Sequence, residues 1–200
     1  MRRTTTAALA AVLLTALTAC GTDASDSDST PAKKSPTTAD EPTKATPSPT
    51  RASGPLTLGK SFTWSGPALD EKTPTTGTTT VTSYSHDLAV KGWSSEALGV
   101  EDPLWVAVEV KVCNQKGGVI EVSQGPWSLG FPDDSRVVSM FLVGSGLPKP
   151  EYPTEGVKVK PGDCIRGKIP FVLEKGQRPD RIIYQTFNTP EPVEWAVPKA

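Results

Sequence analysis

Leu104-Trp105-Val106-Ala107-Val108-Glu109-Val110-Lys111-Val112-Cys113 decides the fold class. Leu104, Val106, Val108, Val110 and Val112 share one parity, and Trp105, Ala107, Glu109, Lys111 and Cys113 share the other. A two-residue period in β-branched side chains predicts a strand with one face on a core. Outward from it, strands are predicted over 57–64, 78–85, 119–123 and 127–131. Pro132-Asp133-Asp134-Ser135 reads as a turn, with a strand continuing over 136–143. In 164–173, Ile165, Gly167, Ile169, Phe171 and Leu173 fall on one face. Residues 181–186 and the alternating Val193, Trp195 and Val197 complete the pattern. Helical signal is confined to one turn over 94–98, before Pro103. Short strands at roughly ten-residue spacing predict an all-β chain. The expected architecture is an immunoglobulin-like antiparallel β-sandwich of about seven to nine strands, spanning residues 55–200.

Residues 21–54 contain no aromatic residue and no Leu, Ile or Val. Such a stretch has too little apolar surface to offset its ordering entropy and is predicted to be a disordered tether. Prolines at 31, 36, 42, 47 and 49 bias it toward polyproline II, and its 34 residues reach at most about 110 Å. Arg2 and Arg3, an apolar run over 7–16 and then Leu17-Thr18-Ala19-Cys20-Gly21 have the layout of a secretory signal over 1–19. The apolar run is short of the roughly 20 residues a membrane span requires. The Leu-Thr-Ala-Cys stretch resembles a bacterial lipobox. That resemblance implies a diacylglycerol thioether on Cys20, which becomes the first mature residue and holds the protein to the outer face of the cell membrane.

Charge and cysteine usage narrow the setting. Without residues 1–19 the 21 basic residues lose Arg2 and Arg3, while all 22 acidic ones remain. The net charge is then about −3, which argues against a nucleic-acid or anionic-lipid surface, either of which would need clustered Lys and Arg. With Cys20 acylated, Cys113 and Cys164 are left in an exported, oxidising compartment. They read as one disulfide, the alternative being two buried thiols. Both have the parity opposite to their strand's apolar face, so a bridge is expected at the periphery, not between the sheets. Pro170 shares that parity and lacks an N–H, which predicts an edge strand or a bulge there.

Two stretches carry a family resemblance. One is 104–114 followed by Gly117-Gly118; the other is 159–171 followed by 176–184. Their order resembles a domain-of-unknown-function family of bacterial surface lipoproteins and secreted proteins. It is similar in fold to the mycobacterial immunoprotective secreted antigen, and the paired cysteines look like the actinobacterial branch. The resemblance implies an immunoglobulin-like sandwich and brings no catalytic residue with it.

No recognised reaction motif stands out. Gly144-Ser145-Gly146 lacks the spacing of a nucleophile elbow, and the single histidine, His86, reads as an exposed strand-end residue beside Asp87 ahead of a catalytic base. Asp133-Asp134 and Glu101-Asp102 read as turn formers ahead of calcium or glycosidase pairs. No metal or cofactor is expected. A binding surface is sought among exposed aromatic and apolar side chains: Trp105 on the polar parity of its strand, and Tyr152 with Leu147 as a small apolar patch in the loop 144–156. The alternative for Trp105 is packing beneath a loop. The expected function is a lipid-anchored, extracytoplasmic, non-enzymatic binding or accessory module for a protein or cell-wall ligand. An envelope enzyme and a structural spacer for another exported protein are the competing readings.

Overall fold

The computed structural model describes residues 54–186, 189 and 191–199. The leader, Cys20 and nearly all of the Ser/Thr/Pro-rich stretch lie outside the described residues. Ten strands and one helical turn follow in order: β1 (Ser61–Pro67), β2 (Pro74–Ser85), α1 (Ser95–Leu98), β3 (Pro103–Lys116), β4 (Ile120–Val122), β5 (Trp127–Gly130), β6 (Arg136–Val138), β7 (Val157–Val159), β8 (Cys164–Glu174), β9 (Arg181–Tyr184) and β10 (Val193–Ala196). Eight of them build two antiparallel sheets, ordered β1-β2-β3-β8 and β10-β9-β5-β6. β4 and β7 pair as a separate ribbon.

The alternation of β3 positions the core. Val106, Val108, Val110 and Val112 are buried with Val81 of β2 and Ile169, Phe171 and Leu173 of β8. Trp127 and Leu129 of β5, Ile182 of β9 and Trp195 of β10 belong to the same cluster from the other sheet. β5 is buried at all four positions. On β2 the register slips between Val81 and Ser83, leaving Thr82 as the extra residue of a bulge. Gly77 is required beneath Trp64: a Cβ there would lie 2.1 Å from Trp64 Cζ2. The Trp64 indole donates to Thr79 Oγ1 at 3.1 Å.

β3 and β8 stay in register without interruption from Pro103↔Glu174 to Cys113↔Cys164. No bulge resets the parity, so the cysteines stay off the core face. The Cys113–Cys164 disulfide therefore joins directly opposed residues of neighbouring strands in one sheet, with Cα atoms 4.0 Å apart. Asn114 N donates to Asp163 O next door, which marks 113–164 as a non-hydrogen-bonded pair, the closer of the two antiparallel spacings. β8 is the sheet edge, as the missing N–H of Pro170 requires.

Two expectations change. The strand expected over 136–143 ends at Val138, because Ser139 turns inward and is buried. Strand β7, only three residues long, was not anticipated.

Candidate functional site

The loop expected as a binding surface, 144–156, is the second part of the connection that follows β6, and that connection is built in two halves. Its second half is strapped down. Lys168 N donates to Pro150 O at 2.8 Å, and Tyr152 N donates to Lys168 O at 3.0 Å. The segment thus runs along the open edge of β8, bridging it at Glu151↔Lys168. Gly167 makes the close approach possible: a Cβ on it would stand 2.6 Å from Tyr152 N. Gln124 Nε2 donates to Tyr152 O at 2.9 Å, fixing the strap from below.

This arrangement corrects the sequence reading of the three candidate contact residues. Trp105, Leu147 and Tyr152 are 5%, 4% and 1% exposed, so none offers a surface to a partner. Tyr152 is driven into the main core, where burial pushes its phenol far above the usual range. Leu147 folds under the loop onto Trp105, with Leu98 of α1 and Val172 of β8 completing a second, smaller cluster. Trp93 packs on its border, its ring centroid 6.1 Å from that of Trp105. Trp105 opposes Val172 across the sheet, and both point away from the main core. The apparently polar face of β3 is therefore covered at one end. α1 is held for this purpose by Ser94 at its N-cap, whose Oγ accepts from Ala97 N, and by Gly99 at φ 65° after its last turn.

The first half of the loop is the reverse. Ser139 is buried and donates its hydroxyl to Gln124 Oε1, while Phe141 N donates to Ser139 Oγ at 3.2 Å. Around that anchor Val138, Met140, Phe141 and Val143 are turned outward. Phe141 sits at φ 54°, a left-handed conformation unusual for a bulky side chain. The run Val137-Val138-Ser139-Met140-Phe141-Leu142-Val143 is apolar on both parities, more than one buried face of an edge strand can absorb. That excess was the available signal for an exposed apolar segment.

The polar candidates resolve into structural pairs. Asp133 accepts from Ser135 N and Oγ at 3.1 and 2.6 Å, and the Ser135 hydroxyl holds its carboxyl below the ordinary range. Asp134 pairs with Arg181 at 3.3 Å, and Asp102 with Lys175 at 2.9 Å. His86 Nδ1 lies 2.9 Å from the Tyr84 hydroxyl. Among the described residues no three His, Cys, Asp or Glu side chains group as metal ligands. A cleft of about 180 Å³ opens between Trp64, Leu69, Ile120, Val122 and Tyr184, with Glu121 also in its wall. It is smaller than the roughly 300–1,000 Å³ of typical small-molecule sites.

No family model and no curated protein matches the sequence. Among solved structures, the secreted protein MPT63 of Mycobacterium tuberculosis is similar with a TM-score of 0.50 and 14% identity, over 73% of this chain and all of MPT63. The YcdA protein of Bacillus subtilis gives a TM-score of 0.44 and 17% identity, over 60% of this chain and 36% of YcdA. At such identity the likeness to MPT63 is one of fold alone, and the described residues form an immunoglobulin-like β-sandwich.

Proposed function

We propose that this chain is a lipid-anchored module on the outer face of the cell membrane, and that it acts by binding instead of catalysis. The observation that carries the reading is the order of its parts. A lipobox-like Leu17-Thr18-Ala19-Cys20 is followed by a Ser/Thr/Pro-rich stretch and then by a β-sandwich with a Cys113–Cys164 disulfide. A disulfide supports an oxidising compartment. Acylation of Cys20 supplies the attachment, since each buried methylene contributes about 0.8 kcal/mol. The motif order over 104–118 and 159–184 supports placing the chain with bacterial surface lipoproteins and secreted proteins of unknown function. Its partner is a protein or cell-wall ligand, met by surfaces other than Trp105, Leu147 and Tyr152.

Mass spectrometry of the protein extracted from membranes tests this reading. The expected product begins at an acylated Cys20. A soluble chain still carrying residues 1–19 would overturn it.

A further inference from the structure

We infer that the exposed segment 138–143 is a membrane-contacting edge, by which the domain rests on the bilayer that holds it. The inference builds on the tethered reading above. Val138, Met140, Phe141 and Val143 are 63%, 40%, 49% and 62% exposed, four large apolar side chains within six consecutive residues. Three are on neither strand nor helix, so the fold does not need them outside for a regular element. Phe141 carries two penalties, an exposed ring and a left-handed backbone. Glycine or asparagine would relieve both. Strain kept at a surface aromatic points to a role beyond folding.

The bilayer fits this segment for three reasons. From Val137 to Pro148 no residue is charged, and Lys149 beyond it is paired with Glu151, so no charge has to leave water when the apolar side chains enter the headgroup–acyl boundary. The patch is also small, reaching from the end of β6 into the irregular segment that follows it. A specific protein interface takes about 20–30 residues a side, whereas a few side chains suffice to dip about 5–10 Å into the headgroup–acyl boundary. Finally, the tether reaches. Residues 21–54 allow up to about 110 Å, while the described chain begins beside β10, at the other edge of the four-stranded sheet that ends in β6. Three interstrand steps, about 14 Å, separate those edges. An anchored chain therefore meets its bilayer at high effective concentration, and a weak apolar contact becomes populated.

The full chain, reconstituted into vesicles of equal parts phosphatidylethanolamine and phosphatidylglycerol, is irradiated with a trace of phospholipid bearing a photoactivatable acyl chain. Adducts are mapped by peptide mass spectrometry, which also reads the lipid on Cys20. Adducts are expected within 138–143. Met140→Ser with Phe141→Ser should reduce them about tenfold or more, since removing even one buried large apolar side chain costs that much. Phe141→Gly should lose labelling while raising Tm, because it relaxes the backbone. A lipidated chain with no adduct at 138–143 overturns this inference alone, whether the patch lies bare or under a protein. An unlipidated chain overturns it together with the tethered reading. A lowered Tm for Phe141→Gly would make the ring a packing element and would also overturn it.

Discussion

At the scale of single residues, backbone atoms hold the strap to β8, and a side chain between the two has no room. Gly167 is the clearest case. A methyl group there would face Tyr152 N at 2.6 Å and the Glu151 carbonyl carbon at 2.7 Å, neither of which can swing aside. Gly167→Ala is expected to lift the strap from β8 and to destabilise the protein by about 2 kcal/mol, read as a lower urea midpoint. Asn114 is a second case. Its buried amide donates to Gly118 O at 2.8 Å and to Val159 O at 3.0 Å, tying β3 to β7 and to the turn after β3. Asn114→Ala leaves two carbonyls without that donor. It should cost about 2 kcal/mol, with hydrogen exchange rising first in 157–159.

At the scale of elements, the disulfide and the second cluster act on different parts of the domain. Cys113 and Cys164 are 51 residues apart in sequence, so their bond removes on the order of 4 kcal/mol of chain entropy from the unfolded state. They are also register partners within an uninterrupted ladder. Replacing both with Ser is expected to lower Tm yet leave the strand pairing intact, as an unchanged far-ultraviolet circular dichroism spectrum would show. Trp105→Ala opens the smaller cluster. A loss of about 3 kcal/mol is expected, with faster hydrogen exchange over 88–100 and 142–147 and little change in β5, β9 or β10.

The same elements explain how far the sequence could be read. The position of the disulfide was legible because β3 alternates strictly and no bulge intervenes. The fate of Trp105 was not, because parity reports a face and says nothing of what folds over it; α1 and Leu147 arrive from both sides in sequence. The end of β6 was hidden for a related reason. Residues 137–143 are apolar on both parities, and the buried bond from Ser139 to Gln124, 15 residues earlier, is what stops the strand. β7 escaped notice because three residues are too few to show a period.

At the scale of the molecule, stability should respond unequally to acid and alkali. Burial raises the phenols of Tyr84, Tyr152 and Tyr184, Tyr84 to about 12. In the unfolded chain tyrosines ionise near 10, so above that pH the unfolded state binds fewer protons than the folded one. Stability is therefore fully present below pH 10 and falls as pH rises from there toward about 12. On the acid side Asp70 and Asp133 are lowered by hydrogen bonds from Thr73 and Ser135. The stability they lend is lost as pH falls through their folded values, and it is small because both are exposed. Tm measured across pH should decline steeply above 10 and only gently in acid. One further feature bears on load. Leu56 N donates to Glu194 O and Ala196 N to Leu56 O, each at 2.8 Å, and the Trp195 indole donates to Lys60 O at 2.9 Å. Tension arriving through the amino-terminal side of the chain is thus handed to edge strand β10 and, through Trp195, a fully buried side chain, to the main core, so a pull from outside has to work against packing as well as against strand pairing.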